Sequence, residues 1–188
     1  MNTKFSIKEY SIPGLKVITP FCVEDERGYF AKNYEKDIYK EWGIDVNICE
    51  EFETLSSHRV IRGLHFQTNF PQAKMVRVIK GCIRDVVVDL RKGSDTFGQY
   101  ADIILSDENH LTVWIPKGFA HGFEVLSSEA IVSYMCVGKY MKEYDTGIRW
   151  NDSTLGIKWQ TQEPIVSAKD SALMSFNEFV RDYGGFII

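Results

Sequence analysis

The sequence predicts an all-β protein built as a double-sheet jelly roll, and two observations carry that prediction. From Met75 to Tyr140, short runs rich in Val, Ile, Tyr and Phe recur. Turn-forming clusters punctuate them at Lys80-Gly81, Lys92-Gly93-Ser94, Ser106-Asp107-Glu108-Asn109 and Ser127-Ser128-Glu129. A strand and turn every ~8 to 12 residues is the rhythm of an antiparallel sandwich or barrel. The length of 188 residues, with 44% hydrophobic and 26% charged, suits one globular domain over 1–188 with a sizeable core of its own. A roll of this kind encloses a mouth in which inward-facing polar side chains can meet a small ligand.

Taken in order, the N-terminal stretch MNTKFSIKEYSIPGLKV has no uninterrupted apolar run after a basic start, and no later segment approaches the length of a membrane span. A cytoplasmic protein with no membrane partner is expected. Glu35 to Ile44, EKDIYKEWGI, reads as a short helix stopped by Gly43. Arg62 to Gln67, RGLHFQ, reads as a strand. If it is regular, Arg62, Leu64 and Phe66 share one face while Gly63, His65 and Gln67 share the other. Alternation is clearest over Met75 to Ile79, where one face is apolar and the other carries Arg77. The segment after Asp170 is expected to hold one more helix. Cys22, Cys49, Cys82 and Cys136 form no CxxC pair and read as reduced thiols packed as small hydrophobes. The formal net charge of -4 argues against a nucleic-acid partner, so any bound anion must be met by a local basic pocket.

His65 invites three readings by itself: a metal ligand, a base, or a histidine that fills a strand. A metal site in such a roll commonly needs a second histidine two residues on and a carboxylate soon after. Gln67 stands where that histidine would be, and His58, His110 and His121 lie at no recognisable ligand spacing. No metal and no cofactor are therefore expected, while the choice between base and structural histidine needs further residues.

Those residues are present. DERGYF (Asp25 to Phe30), RGLHFQ, QAKMVRVIKG (Gln72 to Gly81), VVVDLRKGSDTFGQY (Val86 to Tyr100), IPKGFAHGF (Ile115 to Phe123), GIRWND (Gly147 to Asp152) and SAKD (Ser167 to Asp170) run in order along the chain. Together they resemble the dTDP-4-dehydrorhamnose 3,5-epimerases. The resemblance implies a cupin-type jelly roll, usually a homodimer, that works without metal. It also implies a reaction inverting C3 and C5 of a nucleotide-linked 4-keto-6-deoxyhexose. Both protons lie alpha to one carbonyl, so removing either gives an enolate, and the chemistry needs a base, an acid on the opposite ring face and a stabiliser for the oxyanion.

By that resemblance, His65 is the base and Asp170 the carboxylate that holds it. Tyr134 is the acid and Lys74 the cation beside the enolate oxygen, with His121 a further donor to the sugar. Arg62 and Arg27 match diphosphate contacts. Lys169 and Asp145 match other substrate contacts, Asp145 standing for a commoner glutamate. Departures cluster at one place: Glu50, Glu51 and Phe52 replace a Gln-Asp-Asn run, and Lys32 replaces a glutamate, all at nucleotide-contact positions. Lys32 and Glu50 either face each other as a compensated ion pair or mark a changed base pocket. The resemblance thus implies inversion at both carbons of dTDP-4-keto-6-deoxyglucose. The alternatives are inversion at C3 or C5 alone on a related nucleotide sugar, a metal-dependent cupin, and a non-enzymatic sugar-binding cupin. Product stereochemistry, elemental analysis and the joint presence of His65, Asp170 and Tyr134 discriminate among them.

Overall fold

The computed structural model describes residues 4–44 and 47–188. Its strands are β1 (Ser6–Glu9), β2 (Lys16–Thr19), β3 (Phe21–Asp25), β4 (Gly28–Lys32), β5 (Ile48–Ser57), β6 (Ile61–Gln67) and β7 (Ala73–Lys80). They continue as β8 (Cys82–Asp89), β9 (Tyr100–Ser106), β10 (Thr112–Ile115), β11 (Phe119–Val125), β12 (Glu129–Val137) and β13 (Asp145–Gly147). Three short helices, α1 (Lys36–Glu41), α2 (Ala168–Ser171) and α3 (Phe176–Tyr183), stand outside them. One sheet runs β1-β2-β10-β7-β12-β5, a second runs β13-β6-β11-β8-β9, and β3 with β4 forms a separate hairpin. The pairings within these sheets are antiparallel. This is the jelly roll expected, and each turn cluster read from the sequence lies between the strands it was expected to separate.

Alternation builds the interior. Val76 and Val78 of β7, Ile83 and Val87 of β8, Phe123 and Val125 of β11 and Val132 and Tyr134 of β12 meet in one buried cluster between the sheets. On the outer face of the five-stranded sheet, Val86 and Val88 pack with Leu64, Phe66, Phe179 and Phe186 under α3, so β8 is buried on both sides. That is why Val86, Val87 and Val88 follow one another without polar alternation. Complete burial of Phe179 contributes about 2–3 kcal/mol. Helix α3 begins with a capping box in which Ser175 and Glu178 satisfy each other's backbone amides, and it ends at Gly184 in the left-handed conformation. Helix α1 buries Tyr39 against Ile18, Met75 and Trp114 on the outside of the other sheet. It stops at Gly43, as its sequence predicts.

Two expectations change. The four cysteines are free, but only Cys136 is buried, and Cys49 is exposed on edge strand β5. More consequentially, β6 is not regular. His65 lies opposite His121 while Arg62 lies opposite Phe123, so three residues of β6 span two of β11. This bulge reverses the alternation, leaving Leu64 and Phe66 outside while Arg62 joins His65 on the inner face. It depends on glycine. Gly63 has φ +111°, and a Cβ there would lie 2.7 Å from both the Cα of Gly122 and the carbonyl oxygen of His121.

Candidate active site

His65 leaves β6 on the inner face with its side chain about one-third exposed. Its Nε2 donates to Oδ1 of Asp170 at 2.8 Å, leaving Nδ1 as the nitrogen able to take a proton. Asp170 arrives from far along the chain. Ile165 pairs with Val60 at the start of β6, and Ser167 then caps α2 by accepting the Asp170 amide, which sets the carboxylate in the first turn. Its Oδ2 accepts the backbone amide of Gly63 at 3.0 Å. Burial would push this carboxyl up, but the hydrogen bonds and charge from His65 and the Gly63 amide outweigh that and hold it below its ordinary value. An ionised, almost fully buried carboxylate therefore orients a half-buried imidazole.

The facing sheet contributes through cross-strand register. Tyr134 of β12 lies between Phe52 of β5 and Val76 of β7, and one step on Cys136 lies between Glu50 and Lys74. Tyr134 is 6% exposed, stacked on Phe52 with centroids 4.8 Å apart at 16°, and meets the His121 ring edge-on at 5.9 Å. Burial, reinforced by the Asp85 charge, pushes its phenol well above the ordinary range, while Thr54 and Arg62 pull the other way. It stays protonated at neutral pH. Lys74 Nζ donates to Gln72 Oε1 at 3.3 Å and lies 3.8 Å from the Cys136 sulfur. Gln72 in turn donates to Glu50 at 2.8 Å and to the Gly138 carbonyl at 2.9 Å, which orients its amide oxygen toward Lys74. Burial raises the Cys136 thiol, with Lys74 opposing.

At the floor, His121 Nε2 meets Oδ1 of the wholly buried Asp85 at 2.6 Å, and Asp85 Oδ2 has no hydrogen-bond partner among the described residues. Arg62 donates to Ser56 Oγ at 2.9 Å and to the Leu55 carbonyl, tying the two sheets at one side of the interior. At the rim, Lys169 Nζ is 2.6 Å from Asp145 Oδ2, and the Tyr140 hydroxyl donates to the same oxygen at 3.2 Å. A cavity of about 340 Å³ opens among Glu50, Phe52, His65, Gln72, Lys74, Tyr140 and Asp145.

Ten of the twelve site residues named from the sequence thus gather around this interior and its rim: His65, Asp170, Tyr134, Lys74, Arg62, His121, Asp145, Lys169, Glu50 and Phe52. Arg27 and Lys32 are not among them. Both sit on the β3–β4 hairpin, Arg27 clasped to Asp25 and Lys32 to Glu35 at 2.7 Å. Of the two alternatives for Lys32 and Glu50, the facing ion pair is not formed within the chain: Glu50 is taken by Gln72 inside the roll, while Lys32 pairs with Glu35 and lines a separate aromatic cleft with Phe21, Phe30 and Trp42. That cleft and another beside Tyr29 and His110, about 690 and 620 Å³, are larger than the cavity at His65. Sequence reading missed Asp85, Gln72 and Tyr140. An aspartate at the head of a valine run, Asp85 before Val86, Val87 and Val88 in CIRDVVVD, was the signal for the first. Gln67, standing at a ligand position, spends its amide on the Phe70 and Lys139 carbonyls and the Met141 amide, pinning the loop after β12. Among the described residues, no group of three or more His, Cys, Asp or Glu converges on a metal position.

The family model described as dTDP-4-dehydrorhamnose 3,5-epimerase matches residues 9–178. A dTDP-4-dehydrorhamnose 3,5-epimerase of Methanothermobacter thermautotrophicus is 46% identical over 89% of this chain and 92% of its own. Among solved structures, the dTDP-6-deoxy-D-glucose-3,5-epimerase of Legionella pneumophila, in complex with dTDP-4-keto-L-rhamnose, superposes with a TM-score of 0.89. It is 40% identical, covering 93% of this chain and 94% of that one. The Bacillus anthracis dTDP-4-dehydrorhamnose 3,5-epimerase, with TDP and PPi bound, gives 0.89 at 38% identity over 92% and 99%.

Proposed function

The chain belongs to the dTDP-4-dehydrorhamnose 3,5-epimerase family, and from that premise we propose that the residues around His65 invert C3 and C5 of dTDP-4-keto-6-deoxyglucose to give dTDP-4-keto-L-rhamnose, with no metal or cofactor. The observation that carries the reading is the His65–Asp170 hydrogen bond on one sheet, set against a buried tyrosine on the other. Nδ1 of His65 takes the proton from C3 or C5, and the C–H electron pair moves into the enolate with its charge on the C4 oxygen. Lys74 supplies positive charge to that oxygen. Tyr134 returns a proton to the opposite face of the same carbon and regains its own from solvent, while His65 releases its proton, so each inversion is proton-neutral.

Arg62, inside the roll, suits the diphosphate by its planar fork, and the exposed ring of Tyr140 at the rim suits stacking on the base. Arg27 can serve the diphosphate only if its hairpin reaches the site of a second copy. A homodimer is accordingly part of the proposal, supported by the exposed Tyr29 and Phe30 on that hairpin. One domain over 1–188 is supported by the shared interior of the two sheets. A cytoplasmic setting is supported by the free cysteines. No helix among the described residues is long and apolar enough to cross a membrane.

The test is proton NMR of the protein in deuterium oxide with dTDP-4-keto-6-deoxyglucose. Loss of both the C3 and C5 signals with formation of the L-lyxo product is expected. Exchange at one carbon only would make it a single-site epimerase, and no exchange would reject the reading for this nucleotide sugar.

A further inference from the structure

Phe52 lies directly across from Tyr134 in the ladder between β5 and β12, and their rings are stacked 4.8 Å apart at 16°. On the other flank, the cross-strand neighbour of Tyr134 is Val76, which is short and fully buried. The His121 ring meets Tyr134 edge-on. Among the described residues, only Phe52 therefore presents a flat face to the phenol. Phe52 is itself 42% exposed and lines the cavity that His65 lines, so it is poorly placed to serve as ordinary core. Moreover β5 is the last strand of its sheet, and no further strand stands behind Phe52 to fill its place.

From this geometry we infer that Phe52 is a positioning residue for Tyr134: its ring holds the phenol so that the hydroxyl faces the ring carbon from the side opposite His65. A tyrosine freed on that side swings toward the open sheet edge and no longer meets the enolate. The enolate still forms, because His65, Asp170 and Lys74 do not touch Phe52 in the hydrogen-bonding scheme. It is then reprotonated by His65 on the face from which the proton left. Deuterium from solvent enters the sugar and the configuration is retained. The inference rests on the epimerase reading and adds to it a control over the partition of the enolate between return and inversion.

The experiment compares the full-length wild type with Phe52→Ala, Phe52→Leu and Phe52→Tyr in deuterium oxide. It follows, on dTDP-4-keto-6-deoxyglucose, wash-in at C3 and C5 together with inverted product and kcat and KM separately. Phe52→Ala is expected to lower inverted product per exchange event about tenfold or more, the partition being read as a ratio so that any change in binding cancels. Phe52→Leu, which keeps bulk without a flat face, should fall between, and Phe52→Tyr should restore wild-type partition. If Phe52→Ala fails to fold in a thermal melt, the Leu and Tyr variants carry the same contrast. A parallel fall of exchange and inversion, an unchanged partition, or a rise in KM alone overturns the inference while leaving the epimerase reading intact. A wild type that exchanges at neither carbon takes both down.

Discussion

Replacing Asp170 by asparagine isolates the contribution of one buried charge. Asp170 is 4% exposed and meets His65 Nε2 at 2.8 Å, with its other oxygen on the Gly63 amide. When His65 takes the substrate proton it becomes a cation whose charge centre is roughly 4 Å from the carboxylate. At an effective dielectric near 20 that attraction is worth about 4 kcal/mol. Because the imidazole is about one-third exposed, solvent screening reduces this to about 2–4 kcal/mol. The rate of exchange should then fall about 30- to 1,000-fold. An asparagine has one acceptor where Asp170 uses two, so either the Gly63 amide or His65 loses its partner. If the amide nitrogen turns to His65, the imidazole is held in the tautomer that cannot act as base at Nδ1. The assay is deuterium wash-in at C3 and C5, with a thermal melt to show that the roll persists. Exchange within about twofold of wild type in a folded Asp170→Asn variant would refute the role of the carboxylate. The pH dependence follows from the same group. Its folded value is lowered, so its contribution to stability is fully present above about pH 4 and is lost as pH falls through the lower folded value. Asp170→Asn should therefore flatten the wild-type loss of stability in that acid range.

Tyr134→Phe removes a hydroxyl and leaves the stack on Phe52 in place, so wash-in should persist while inverted product drops about 100-fold or more, read in the same NMR experiment. Gly63→Ala places a methyl 2.7 Å from Gly122 at positive φ and should cost about 2–4 kcal/mol in denaturant unfolding, or fail to fold; a loss below about 0.5 kcal/mol would mean that the bulge can relax. Arg62→Ala should weaken binding of a nucleoside diphosphate, measured calorimetrically, with a larger penalty at low salt than at high salt. Unchanged affinity would move the diphosphate elsewhere.

The sequence by itself determined the class of fold and named ten residues that the fold brings around one interior. Period-2 runs and glycine-bearing turns name strands wherever one face is buried, as in β7, β9 and β12. It failed where that signal is absent. The edge strand β5, ICEEFETLSS, exposes most of its length and so carries no apolar period, although Glu50, Thr54 and Phe52 turn inward. The motif residues around His65 were legible through the resemblance that their order, held over most of the chain, bears to the dTDP-4-dehydrorhamnose 3,5-epimerases. Their geometry was not legible. His65 and Asp170 are 105 positions apart, and only the bridge between Val60 and Ile165 and the cap at Ser167 join them. Arg62 reaches the interior through a bulge that reverses the strand's alternation, which no periodicity can encode because the extra residue is set by the close approach of Gly63 to Gly122 on another strand. The separation of Lys32 from Glu50 and the stacking of Phe52 on Tyr134 were likewise decided by which strands become neighbours. That is a property of long-range pairing, whose partners are chosen by the packing of the whole roll rather than by the residues on either side in the chain.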